Sequence, residues 1–82
     1  MTESGSVVTE AVAGDVVLTV NGTERSVPSG WTLAKLLESL NVDARTVVIE
    51  RNRTILRDHS SFDSLELAAG DEIEIVHFVG GG

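Results

Sequence analysis

Few side chains in this sequence are of types that do chemistry. Two histidines, His59 and His77, stand among thirteen acidic and six basic residues, with no cysteine and no tyrosine. His59 lies in a polar stretch and His77 in an apolar one. No carboxylate–histidine–serine set and no metal-ligand spacing emerges around either. A lone histidine is more often a packed or half-exposed polar residue than a ligand or a base. The other unusual feature is the ending, Gly80, Gly81 and Gly82, directly after the apolar run at Val76, Phe78 and Val79. These glycines do not make a phosphate loop, because no helix follows and no lysine with serine or threonine accompanies them. They are either a frayed end or a tail that threads into something narrow. No catalytic residue and no metal ligand is assigned, and the chain is not expected to be an enzyme by itself.

Composition narrows the partners. The net charge is -7, so nucleic acid and anionic membrane, which both repel an acidic surface, are not expected partners. From Asp58 onward the acids Asp58, Asp63, Glu66, Asp71, Glu72 and Glu74 face no lysine or arginine in sequence. Such a run is usually a solvated surface; its sharper reading is a docking face for a basic partner. The missing cysteine excludes disulfides, thiolate metal sites and a cysteine nucleophile. It also fits a reducing compartment, and a cytoplasmic location is expected. No apolar stretch approaches membrane-spanning length, and the N-terminus lacks a basic-then-apolar secretory pattern.

The elements that must position the ending can be read in order. At 82 residues the chain is one domain at most. Residues 1–15 show no period and are expected to be a flexible extension. Val16–Val20 is β-branched, Asn21-Gly22 is a strong hairpin signal, and Thr23–Val27 is the returning strand, closed by Pro28-Ser29-Gly30. Leu33, Leu36, Leu37 and Leu40 then recur on one helical face. Thr32 is the expected N-cap, with Trp31 stapling against Leu36 and Asn41 ending the helix in a left-handed conformation. Thr46–Glu50 and Thr54–Leu56 read as strands around a turn at Arg51-Asn52-Arg53. Asp58–Ser64 reads as loop or short 3₁₀ turn, with Leu65 and Leu67 anchoring this stretch to the core. Gly70-Asp71 is a turn and Glu72–Val79 the last strand.

That order predicts an α+β fold, a β-grasp (ubiquitin-like) arrangement with a mixed four- to five-stranded sheet and one main helix. The first and last strands are expected side by side in the sheet centre. The domain is expected over 16–79, with 80–82 a flexible tail. Alternation along the last strand sends Ile73 and Ile75 toward the leucine face, with His77 and Val79 in the same phase. Glu72, Glu74, Val76 and Phe78 point the other way, to the uncovered face. Val76 and Phe78 beside the two acids are candidate partner contacts; cover by loops or by the extension is the alternative.

A β-grasp pattern that ends on a bare Gly-Gly resembles the ubiquitin-like sulfur carriers, and within them the ThiS family of thiamine-biosynthesis sulfur carriers. The matching residues are VNG at Val20–Gly22, TLAKLLESL at Thr32–Leu40, VVIERN at Val47–Asn52 and AGDEIEIVHFVGGG at Ala69–Gly82. The extension is longer than such carriers usually have, and Leu56 stands where a proline is common. The resemblance implies that the Gly82 carboxylate attacks the α-phosphate of ATP and becomes an acyl-adenylate. Sulfur then replaces the adenylate, leaving a thiocarboxylate that supplies thiazole formation. It implies three partners: an E1-like adenylyltransferase of the ThiF type, a thiazole synthase of the ThiG type, and a sulfur donor such as a cysteine desulfurase. It implies no cofactor bound by the carrier itself, with ATP and Mg²⁺ used by the activating partner. An α-carboxylate is ionised near neutral pH and is a ready oxygen nucleophile. Glycine, lacking Cβ, lets the backbone pass a narrow channel. A molybdopterin-synthase small subunit, another thiocarboxylate carrier, a ubiquitin-like protein modifier and a non-covalent binding module remain as alternatives.

Overall fold

The computed structural model describes residues 14–78. Most of the expected extension and the whole of 79–82 lie outside the described residues. Strand β1, Asp15–Val20, pairs antiparallel with β2, Thr23–Pro28. The strand therefore takes in Asp15, which pairs with Pro28 at the open end of the hairpin. Between the two strands, Asn21 and Gly22 have φ of 49° and 83°. Two consecutive positive values are what a type I′ turn requires, and Asn-Gly is the pair that tolerates them best.

Helix α1, Leu33–Ser39, is only seven residues long. A helix this short is not stable in isolation, so its ends and its packing must hold it. The Thr32 hydroxyl accepts the Lys35 N–H at 3.3 Å. The N–H groups of Leu33 and Ala34, orphaned in the first turn, donate to the carbonyls of Leu65 and Phe62 at 2.9 and 3.0 Å. At the other end Asn41 has φ 63°. Its N–H donates to Glu38 O at 3.0 Å and the Val42 N–H to Leu37 O at 2.9 Å. That is a Schellman motif with asparagine in the usual glycine place. Trp31 packs against the core, and the Lys35 ammonium lies 5.9 Å from its ring centroid.

After a 3₁₀ turn at Ala44–Thr46 the chain forms β3, Val47–Arg51, and β4, Thr54–Leu56. Arg51, expected in the turn, belongs to the strand, where it pairs with Thr54 and Ile73. The turn is Asn52-Arg53 alone, with φ of 51° and 73°. A second 3₁₀ turn, His59–Ser61, follows, and Leu67 becomes buried. Strand β5, Glu72–His77, completes a five-stranded sheet in the order β2-β1-β5-β3-β4. It runs parallel to β1 and antiparallel to β3. This is the β-grasp arrangement: β5 is central and the helix covers one face.

Leu33, Leu36 and Leu37 of the helix meet Leu18, Val20, Val47, Ile49, Ile73 and Ile75 of the sheet, with Phe62 and Leu67 closing the sides. Each such side chain contributes roughly 1.5–3 kcal/mol through burial. Among the described residues only one acid is buried with them. Asp71 is 5% exposed, and its carboxylate accepts from Arg51 Nε at 3.0 Å, Asn52 Nδ2 at 3.1 Å and the Ala68 N–H at 2.9 Å. It also forms an ion pair with Arg51 at 2.9 Å. Burial works against its charge, but these donors outweigh burial and hold its pKa below the usual carboxylate value. Asp71 O accepts the Thr19 N–H, and the Gly70 N–H donates to Val17 O. The turn that launches β5 is thus fixed to β1 on one side and to β3 on the other.

Candidate interaction face at the root of the tail

β5 carries two faces, as its alternation requires. Ile73 and Ile75 are buried, and Glu72, Glu74 and Val76 are exposed on the face the helix leaves open. The strand ends at His77, two residues before the expected limit at Val79, which lies outside the described residues. One rung continues past the strand, because the Phe78 N–H donates to Thr46 O at 3.0 Å. Val76 is 54% exposed and Phe78 62%. The four contact candidates Glu72, Glu74, Val76 and Phe78 therefore lie along one exposed face, with Glu72 at the start of β5 and Val76 and Phe78 at its end. No loop among the described residues covers them.

The neighbouring strands enlarge this face in a way the sequence reading missed. Register places Val48 opposite Val76 and Glu50 opposite Glu74, and Ile55, 43% exposed, opposite Glu50. Glu50, Glu72, Glu74, Val76 and Arg53 line a shallow groove. Two carboxylates directly opposite each other on paired strands repel, at a cost of up to about 1 kcal/mol. Among the described residues none of these three glutamates forms an ion pair. Arg53 lines the same groove without reaching ion-pair distance of any of them. The alternation VVIE already put Glu50 on the open face; what the sequence lacked was the register that sets it against Glu74. Arg53 had no signal at all, being a non-glycine residue at positive φ.

Away from this face, Glu38, Asn41, Asp43, His59 and Asp63 line a pocket of about 510 Å³ beside α1 and the two 3₁₀ turns. His59 stacks at a tilt on Phe62, with ring centroids 5.0 Å apart. Asp43 pairs with Arg45 at 2.8 Å, and the hydrogen bonds from Arg45 hold its pKa at about 2. Among the described residues no three His, Asp or Glu are grouped to hold a metal ion. No helix among them is long and apolar enough to cross a membrane.

The fold and the exposed strand root define a class, the small ubiquitin-like β-grasp proteins. The model of the ThiS family matches residues 14–82, and the chain belongs to that family. It is similar to the sulfur carrier protein ThiS of Bacillus subtilis, 43% identical over 51 residues, covering 62% of this chain and 76% of that one. It is also 43% identical over 65 residues to a thiazole synthase of Paramagnetospirillum magneticum, covering 79% of this chain. A second thiazole synthase, from Magnetococcus marinus, is 35% identical over 63 residues. The chain spans about one fifth of the length of these two relatives. Among solved structures it superposes on the crystal structure of the thiamine biosynthesis protein ThiS from Geobacter metallireducens. The TM-score is 0.70 and the identity 34%, covering 82% of this chain and 100% of that one. Its family and its likeness to the Bacillus subtilis protein set the chain beside the sulfur carriers of thiamine biosynthesis.

Proposed function

We propose that the Gly82 carboxylate is the group that carries sulfur. Its oxygen attacks the α-phosphate of ATP in an E1-like partner of the ThiF type, forming an acyl-adenylate and releasing pyrophosphate. The terminal sulfur of a persulfide, supplied by a cysteine desulfurase, then forms a C–S bond as the C–O bond to the adenylate breaks and AMP leaves, and a thiol reductant cleaves the S–S bond of the acyl disulfide so formed, taking up the persulfide's other sulfur as a disulfide. The resulting thiocarboxylate delivers sulfur to a thiazole synthase. ATP and Mg²⁺ belong to the activating partner, and the carrier contributes only its tail and its docking face. A reducing cytoplasmic setting suits a thiocarboxylate and is part of this reading.

The observation that supports it best is the junction at the end of β5. The central strand presents Val76 and Phe78, both more than half exposed, just before Gly80, Gly81 and Gly82, and the family match runs through residue 82. Ordering each tail residue in a partner costs on the order of 1–2 kcal/mol. Burying what remains exposed of Val76 and Phe78 returns roughly 2–3 kcal/mol, on the 1.5–3 kcal/mol scale for a fully buried side chain. A cation set between Glu50 and Glu74 adds to it.

Genetics tests the pathway. A strain lacking this protein should need thiazole for growth, and the wild-type gene but not one lacking the Gly82 codon should remove that need. Growth of the deletion strain without thiazole, with a defect in another sulfur pathway, would assign the chain to a molybdopterin-type or other carrier.

A further inference from the structure

Among the described residues, the hydrogen-bonding phase of β5 leaves one main-chain rung open at the root of the tail. Asn52 N–H donates to Glu72 O and Phe78 N–H to Thr46 O. With the register Val48 opposite Val76 and Glu50 opposite Glu74, the even-numbered residues of β5 turn their backbone groups to β3. Ile73, Ile75 and His77 therefore turn theirs to the other side, toward β1. β1 pairs only as far as Ile73, whose carbonyl accepts the Asn21 N–H at 2.9 Å. At Ile75 the Asn21 side chain takes the place of a strand. Its Oδ1 accepts the Ile75 N–H at 2.7 Å and its Nδ2 donates to Ile75 O at 3.3 Å. The hairpin then turns away. Among the described residues nothing hydrogen-bonds the His77 N–H or C=O on this side, and His77 is exposed.

An unpaired strand edge is a template for another strand. Proteins usually blunt such edges, and here Asn21 blunts Ile75 but leaves His77, one rung further on. A strand laid beyond Asn21 also finds Val76 and Phe78 exposed on the open face, ready to receive an apolar side chain. We propose that an extended segment of the thiazole synthase adds to the β5 edge at His77, clamping the root of the tail by main-chain hydrogen bonds. This rests on the reading that the chain serves that enzyme. Main-chain pairing supplies affinity without a special side chain, which fits a position where the histidine ring has no other assigned task.

The test uses the whole protein with its own thiazole synthase. Amide exchange at His77, followed by NMR, should slow at least tenfold when the synthase is added. His77→Pro removes the N–H but sits where that N–H does not serve the β3 ladder, so the domain should keep its fold. It should bind the synthase about tenfold more weakly, in line with loss of one or two hydrogen bonds. His77→Ala should bind within about twofold of wild type. Binding with an unprotected His77 amide, or equal affinity for the folded proline variant, overturns the strand addition alone. Should His77→Pro unfold, the exchange measurement on wild type decides. No binding by the wild-type protein overturns both this inference and the proposed pathway.

Discussion

Replacing Asp71 by asparagine changes one charge and almost no volume, at the point from which β5 starts. Oδ2 accepts from Arg51 Nε and the Ala68 N–H, and Oδ1 from Asn52 Nδ2. An amide NH₂ set at the Oδ2 position faces two donors. Set at the Oδ1 position it faces Asn52 Nδ2. Asn52 cannot turn over without loss, because its Oδ1 already accepts the Glu72 N–H at 2.9 Å. At least one hydrogen bond is lost and Arg51, 27% exposed, keeps no counter-charge. A neutral bond is worth about 1 kcal/mol and a charge-assisted one about 1.5–3 kcal/mol, so Asp71→Asn should destabilise by roughly 2–4 kcal/mol. In a domain this small that lowers the melting temperature by about 8–30 °C. The pH dependence has a definite sign. The folded pKa of Asp71 lies below its unfolded value. Its contribution is fully present above the unfolded value, near about 3.9, and is lost as pH falls through the depressed folded one. Urea unfolding should therefore show the full gap between wild type and variant at pH 7 and pH 5, and a narrowing gap below about pH 4. A gap under about 0.5 kcal/mol at neutral pH, or one that stays constant into acid, refutes the reasoning.

Other substitutions separate stability from docking. Asn21→Gly keeps the turn conformation but removes both bonds to Ile75; it should cost about 1–2 kcal/mol and speed amide exchange at Ile75, and unchanged exchange contradicts this. Phe78→Ser should leave the unfolding midpoint nearly unchanged while weakening the activating partner's binding roughly tenfold, from about 1–2 kcal/mol of lost apolar burial; equal affinity by calorimetry removes Phe78 from the interface. Glu74→Lys ends the opposition with Glu50 and should stabilise the domain by a few tenths of a kcal/mol, up to about 1, while weakening partner binding and flattening its salt dependence. Thr32→Ala removes the hydroxyl cap of α1 and should cost about 1 kcal/mol in urea unfolding.

Local signals were legible because they are written in neighbouring residues. The Asn-Gly turn, the leucine stripe of α1, Thr32 as its cap and Asn41 as its stop each need only a few adjacent positions, and each stands where the pattern put it. So does the alternation of β5, which separated Ile73 and Ile75 from Glu74 and Val76. What escaped depends on pairing between distant segments. Glu50 meets Glu74 and Asn21 reaches Ile75 only through strand register, 24 and 54 positions apart in sequence. Arg51 looked like part of a turn because arginine and asparagine crowd there, yet its guanidinium is drawn back onto buried Asp71. Arg53 takes a positive φ that its residue type does not announce.

The central claim concerns one atom. After incubation with the activating enzyme, ATP, Mg²⁺ and a sulfur donor, the intact protein should gain the mass difference of one oxygen exchanged for one sulfur, and fragmentation should place it on Gly82. An unchanged mass with an active cognate enzyme, or an exchange located anywhere else in the chain, contradicts the account.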